Sequence, residues 1–288
     1  MIGPLRSASF TAPIEEVLST RDPAHRVVTA AGPDGDLTAS VFTPRARTAS
    51  GTGIYFLHGG GMIIGDRFTG MANVLDWALE HDAVVVSLDY RLAPEHPAPA
   101  PVEDAYACFV WTAAHAAELG IDPERILLAG TSAGGGLAAG VALLARDRKG
   151  PQALARLLMS PMLDDRDETI STRQYSGTGS WSRESNTTGW TALLGASRGT
   201  EAVSAYRAPA RAEDPSGLPP AFIDVGSVEV FRDEDVAYAS GLWAAGVQAE
   251  LHVWAGGFHI FDGAAPSAAL STAALAARTA WVRRILGA

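Results

Sequence analysis

The chain carries one cysteine, Cys108, in 288 residues, which excludes an intrachain disulfide and any metal cluster built on several thiolates. Basic residues are scarce as well: 22 Lys and Arg stand against 32 Asp and Glu, for a formal net charge of −10. No segment gathers them into a patch, so phosphate backbones and anionic lipid surfaces are repelled, and neither nucleic acid nor membrane is an expected partner. Long apolar runs are also missing. The longest, Ala133 to Ala145 counting glycine, is too short to cross a bilayer, and Met1 to Phe10 lacks the apolar centre of a signal peptide. With one thiol and no such leader, the expected location is cytoplasmic. The His-Glu-x-x-His zinc motif and the phosphate-binding loop are both absent, which argues against a metalloprotease and a P-loop nucleotide hydrolase. No internal repeat or low-complexity tract interrupts the chain.

What is present is an ordinary globular composition, 47% hydrophobic and 19% charged, sufficient for a sizeable core and expected to form a single domain over residues 1–288. Val27 to Pro44 reads as a β-hairpin turning at Gly32-Pro33-Asp34-Gly35-Asp36. Six short apolar runs follow, at Ile54 to Leu57, Ala83 to Leu88, Ile126 to Ala129, Leu154 to Met159, Ala221 to Val225 and Glu250 to Trp254. Helical patterns lie at Phe68 to Glu80, Val102 to Glu118, Gly135 to Arg148, Asp233 to Ala245 and Ala268 to Leu286. Alternation of this kind predicts an α/β fold with a mainly parallel sheet covered on both faces. The first 25 residues or so and the stretch from Asp164 to about Arg207 stand outside the alternation. An insert of that length is expected to be a lid or binding element.

Gly130-Thr131-Ser132-Ala133-Gly134 follows the strand pattern Arg125 to Ala129 and precedes a helix. A Gly-x-Ser-x-Gly turn between strand and helix needs small neighbours, because the serine's backbone is strained and its hydroxyl is pushed up towards a substrate. The helix start adds positive dipole and free N–H groups. Five residues with three fixed positions also arise by chance; the strand and helix on either side make Ser132 the candidate nucleophile. Gly134-Gly135-Gly136-Leu137-Ala138-Ala139 formally satisfies a dinucleotide fingerprint, but it lies inside the helix, too late to cradle a pyrophosphate. A second glycine run, His58-Gly59-Gly60-Gly61, ends the strand at Leu57, and glycines there allow backbone N–H groups to turn towards a developing oxyanion.

Taken together, His58-Gly59-Gly60-Gly61-Met62-Ile63-Ile64-Gly65-Asp66, Asp89-Tyr90-Arg91-Leu92-Ala93-Pro94-Glu95-His96-Pro97, Pro101-Val102-Glu103-Asp104, the serine pentapeptide and Gly257-Phe258-His259 resemble the hormone-sensitive-lipase-like carboxylesterases of bacteria, in the group with Gly-Thr-Ser-Ala-Gly. The resemblance covers nearly the whole chain. It implies an α/β-hydrolase fold with a small helical cap formed by about 1–25 and 164–207. It also implies an oxyanion hole from the N–H groups of Gly60, Gly61 and Ala133, a structural role for His58 in fixing the glycine loop, and a preference for short acyl chains. No cofactor and no metal are implied.

The order serine, acid, histidine in this fold restricts the base to His252 or His259. His252 alternates with apolar neighbours inside a strand, whereas His259 follows the strand and Gly256-Gly257 on a loop, so His259 is the candidate base. The orienting acid is expected after the strand Ala221 to Val225. Relatives often carry Asp where this chain has Glu229; Glu229 is favoured here over Asp233, which with Glu234 and Asp235 opens a helix where carboxylates suit the dipole. Asp224, inside the strand, is read as structural. Tyr175, Trp181, Trp190 and Leu193 are candidates for substrate binding, although cap packing accounts for each equally well. The same machinery serves lactone hydrolysis and deacetylation. A non-catalytic binding protein is a further alternative: the plant gibberellin receptor resembles this family but has lost the histidine that His259 supplies here. Leu270, Ala274, Trp281 and Ile285 on the last helix fit core packing or a homodimer face.

Overall fold

The computed structural model describes residues 2–7, 13–48, 50–177 and 179–287. Eight strands form one sheet: β1 (Ala24–Gly32), β2 (Gly35–Thr43), β3 (Gly51–Leu57), β4 (Val84–Asp89), β5 (Ile121–Thr131), β6 (Ala155–Met159), β7 (Ala221–Gly226) and β8 (Ala249–Trp254). Their order is β1-β2-β4-β3-β5-β6-β7-β8. The hairpin β1-β2 and the β2-β4 pair are antiparallel, and every other pair is parallel. Buried parallel strands carry apolar residues on both faces, which is why these runs are nearly continuous rather than alternating. In β3, Tyr55 and Leu57 belong to one core cluster while Ile54 and Phe56 belong to the other.

The helices are α1 (Ile2–Ser7), α2 (Ile14–Arg21), α3 (Met71–Glu80), α4 (Ala100–Ala114), α5 (Ala116–Leu119), α6 (Ala133–Asp147), α7 (Ile170–Gln174), α8 (Arg183–Leu194), α9 (Arg232–Ala244), α10 (Phe261–Ala264) and α11 (Ala269–Leu286). Side chains of α4, α6, α8 and α9 pack with the first cluster, and those of α2, α3 and α11 with the second. Each fully buried Leu, Ile or Phe in these clusters contributes roughly 1.5–3 kcal/mol.

Two predicted helices differ at their ends for local reasons. The helix expected over Val102 to Glu118 stops at Ala114, because the His115 ring turns back to the carbonyl of Trp111 at 2.9 Å and stacks on its indole. The one expected from Phe68 starts at Met71, because Asp66 Oδ1 accepts from the Phe68 N–H and the Thr69 hydroxyl and so forms a turn. On α11, Ala274 and Trp281 are buried in the core, so the apolar stripe suggested for a homodimer is occupied by core packing.

Outside the alternation, the insert contributes α7 and α8. The N-terminal part contributes α1 and α2, with residues 1 and 8–12 of the expected cap outside the described residues. Arg6 on α1 donates to the carbonyls of Ile63 and Ala93 at 2.7 and 2.8 Å, which ties that helix to the segment following the glycine loop.

Candidate active site

Five neighbouring parallel strands, β3, β5, β6, β7 and β8, end on one edge of the sheet, and each is followed by a residue of the site. Ligands in open α/β sheets bind at this carboxyl edge. Ser132 sits between β5 and α6 with φ 56° and ψ −120°, a left-handed conformation that a side chain adopts only at a cost of about 1–3 kcal/mol. Glycines on both sides make the turn possible. A methyl group added to Gly130 would meet the Gly134 carbonyl oxygen at 2.2 Å, and one on Gly134 would meet the Leu57 carbonyl oxygen at 2.0 Å. Helix α6 therefore starts hard against the end of β3, which brings the glycine loop beside the serine.

Ser132, His259 and Glu229 lie in one hydrogen-bonded line. His259 Nε2 is 3.0 Å from Ser132 Oγ, and His259 Nδ1 is 2.6 Å from Glu229 Oε2. All three side chains are buried. The second carboxylate oxygen, Oε1, accepts from the Gly226 N–H at 2.7 Å and from the Ser160 hydroxyl at 3.2 Å. Nδ1 facing a carboxylate is the protonated nitrogen of the neutral ring, which leaves Nε2 as the acceptor facing the serine. The Phe231 ring packs against the imidazole in a T-shaped arrangement, with ring centroids 5.0 Å apart.

The glycine loop is oriented peptide by peptide. In a trans peptide the N–H points away from the preceding carbonyl. The Gly59 carbonyl accepts from His58 Nδ1 at 2.7 Å, so the Gly60 N–H is turned away from His58. The Gly60 carbonyl accepts from the N–H groups of Ile63 and Ile64, both at 3.0 Å, which turns the Gly61 N–H the other way. The Ser132 carbonyl accepts from Gly136 and Met162, both at 3.0 Å, which aims the Ala133 N–H. Among the described residues, no backbone or side-chain acceptor takes the N–H of Gly60, Gly61 or Ala133. His58 is buried and stacked on Tyr90 at 4.1 Å, and burial lowers its pKa; it is a neutral strut of the loop.

The other carboxylates are occupied elsewhere. Asp233 accepts from the Ser171 N–H at 2.8 Å and from Arg232 at 2.7 Å, joining α9 to α7. Asp224 is buried and held by Arg278 and Trp254 at 2.8 and 2.9 Å. Glu234 and Asp235 lie in the first turn of α9 as expected, and both are also buried. Glu234 accepts from the N–H groups of Leu163 and Asp164, the Asp235 carboxylate has no hydrogen-bond partner among the described residues, and burial raises both pKa values well above the ordinary range. His252 meets Glu250 at 2.9 Å and stacks on Phe222 and Trp254. Burial pushes the Cys108 thiol up to about 12, so it is an inert core residue.

Of the candidate binding residues, Tyr175 and Trp181 are partly exposed at the site. Tyr175 donates to the Ser227 carbonyl at 3.1 Å, and the Trp181 ring is 6.4 Å from that of His259. Trp190 and Leu193 are instead core residues: Trp190 has no exposed surface, so it joins α8 to the core and its expected contact with substrate gives way to packing. Ser160 escaped sequence reasoning altogether, because a lone serine after a strand carries no pattern. Among the described residues, no group of three or more His, Cys, Asp or Glu side chains is placed to hold a metal ion, and no helix is long and apolar enough to cross a membrane.

A serine, an imidazole and a carboxylate aligned at the carboxyl edge of this sheet belong to the hydrolases of the α/β-hydrolase fold. Residues 54–263 match the family model described as alpha/beta hydrolase fold. Esterase LipI of Mycobacterium tuberculosis is 35% identical over 257 residues, 81% of this chain and 74% of that protein. Carboxylesterase NlhH of the same species is 37% identical over 232 residues, 76% of this chain and 70% of its own. Among solved structures, a bacterial heroin esterase superposes with a TM-score of 0.89 at 36% identity, over 99% of this chain and 88% of that one. The esterase of Pyrobaculum calidifontis gives 0.88 at 31% identity, over 100% of this chain and 94% of its own. The chain belongs to the hormone-sensitive-lipase-like family of carboxylesterases and is a carboxylic ester hydrolase.

Proposed function

We propose that residues 1–288 form one α/β-hydrolase domain, capped by about 1–25 and 164–207, that hydrolyses short-chain acyl esters through Ser132, His259 and Glu229. The reading is carried by the unbroken line from Ser132 Oγ through the imidazole to Glu229. His259 Nε2 takes the hydroxyl proton as Ser132 attacks the acyl carbon, and Glu229 stabilises the imidazolium that results. The N–H groups of Gly60, Gly61 and Ala133 bind the tetrahedral oxyanion. Collapse of that intermediate hands the proton to the leaving alkoxide and leaves an acyl-serine. Water, deprotonated by the same imidazole, then attacks the acyl carbon and releases the acid.

Tyr175 and Trp181 are the side chains in this reading that bound the substrate. A preference for small acyl groups belongs to the same proposal, supported by membership of this carboxylesterase family. A cytoplasmic location belongs to the same proposal, and so does a homodimer, for which the edge strand β8 with exposed Val253, beside exposed Trp243 of α9, is a better face than α11; light scattering of the purified protein tests the dimer.

The deciding experiment is labelling by a fluorophosphonate together with turnover of p-nitrophenyl esters of increasing chain length. Stoichiometric labelling of Ser132, lost in Ser132→Ala along with turnover by about 10⁴-fold or more, and a maximum of kcat/KM between acetyl and hexanoyl are expected. An unlabelled serine would favour a binding protein, and a maximum at dodecanoyl would favour a lipase.

A further inference from the structure

The cap does more at this site than cover it. The Trp181 indole lies directly against the glycine loop: a methyl group built on Gly61 would sit 2.1 Å from Trp181 Cη2 and 2.6 Å from Cζ2. From helix α8, Gly189 closes on the same residue, since a methyl group built there would come within 2.8 Å of the Gly61 carbonyl oxygen and 3.5 Å of Trp181 Cζ2. Gly61 is thus enclosed by an indole and by a helix backbone, both belonging to the cap.

The indole is itself held from within the cap. Trp181 Nε1 donates to Asn186 Oδ1 at 3.4 Å, and Asn186 Nδ2 donates to Asp167 Oδ1 at 2.6 Å. Asp167 Oδ2 accepts from the Thr187 hydroxyl at 2.9 Å and pairs with Arg198. Asn186 and Asp167 are both buried, where hydrogen bonds of this kind are costly to break. Next to the indole, the Ser180 hydroxyl donates to the His259 carbonyl, so one cap segment touches both the glycine loop and the loop of the base.

We propose that Trp181 and Gly189 are positioning residues that set the place of Gly61, and with it the oxyanion-binding N–H groups, with Asn186 and Asp167 holding the indole. This rests on the ester-hydrolase reading above and deepens it. The reason is geometric: a glycine loop with positive φ at Gly60 and Gly61 has many accessible conformations, and three preorganised donors need it confined to one. The His58 and Ile63–Ile64 bonds confine the loop from the core side, and Trp181 with Gly189 confine it from the cap side.

Positioning and simple pocket-lining predict different kinetics. A pocket wall discriminates between acyl chains, so trimming it alters KM and shifts the chain-length optimum. A residue that places the oxyanion donors lowers kcat equally for every acyl chain. The test compares acetyl, butyryl and hexanoyl p-nitrophenyl esters, and inhibition by a methyl trifluoromethyl ketone, for the wild type, Trp181→Phe and Gly189→Ala. The second variant removes no pocket side chain and raises helix propensity, so it stays informative even where Trp181→Phe folds poorly. Thermal melts check that each is folded. We expect kcat to fall about 10- to 100-fold for all three esters in both variants, with KM little changed in Gly189→Ala, which leaves the substrate wall intact, and the ketone to lose affinity by a similar factor. Losses confined to the longer esters, or folded variants whose kcat on the acetyl ester stays within about twofold of the wild type, would overturn the proposal. A wild-type protein that neither turns over esters nor reacts with fluorophosphonate would instead overturn the functional reading beneath it.

Discussion

Ser160 holds Glu229 from behind: its hydroxyl donates to Oε1 at 3.2 Å while the opposite oxygen, Oε2, accepts from His259 at 2.6 Å. Ser160 follows β6 directly in a left-handed conformation, φ 43°, with its N–H bonded to the Asp224 carbonyl at 2.7 Å. The carboxylate is therefore clamped by β6 and β7 together. Ser160→Ala removes one of two donors to Oε1 and leaves the Gly226 N–H. We expect kcat to fall about tenfold with KM unchanged, the equivalent of ~1.4 kcal/mol. Steady-state kinetics check this, and an unchanged kcat would show that Gly226 alone orients the acid.

Glu229 and Asp233 are separated by one turn of chain but do different work. Glu229→Gln keeps the shape and loses the charge that supports the imidazolium, and kcat should drop by about 10³- to 10⁴-fold. Asp233→Asn weakens only the link between α9 and α7, so activity should stay within about threefold while stability falls by roughly 0.5–1.5 kcal/mol. Kinetics paired with urea denaturation separate the two. The opposite pattern would exchange the assignments.

Arg278 on α11 reaches Asp224 inside β7 and Asp262 in α10 just past His259, so one buried guanidinium ties the strand before Glu229 to the helix after His259. Arg278→Leu leaves Asp224 buried without its cation and should cost about 3–5 kcal/mol. Adding Asp224→Leu removes the stranded charge and should recover most of that loss. Denaturant midpoints of the two variants decide it; a double variant no more stable than the single would refute the account.

Asp235 gives a pH dependence with a definite sign. Its carboxylate is fully buried, has no hydrogen-bond partner among the described residues, and faces the like charges of Glu234, Glu229 and Asp224, so its pKa lies well above the ordinary 3.8. Below that ordinary value both folded and unfolded chains hold the proton, and Asp235 costs nothing. As pH rises the unfolded chain releases the proton first, so stability falls until the folded-state pKa is passed. Asp235→Asn removes this dependence. Its advantage over the wild type should grow between pH 4 and 7 to roughly 1–3 kcal/mol, and thermal melts across that range would show a constant difference if the account is wrong.

Local chemistry in the chain was enough to announce the strand–serine–helix turn, the glycine loop, the hairpin and the order of strands and helices. Those features depend on φ/ψ preferences and on apolar runs, which neighbouring residues express without help from distant ones. The loop carrying His259 was legible for the same reason, since it follows a strand and a glycine pair. Tertiary structure alone decided what each carboxylate does. Glu229, Asp233, Glu234 and Asp235 lie within seven residues of one another, yet they face an imidazole, an arginine, two backbone N–H groups and an unpartnered interior respectively. It also separated Trp181, which lies against Gly61, from Trp190, which is sealed in the core. These outcomes turn on which side chains meet through space across 30 to 127 positions of chain, as in the His259 bonds to Glu229 and Ser132. Burial and partner choice belong to the packed fold rather than to any window of sequence.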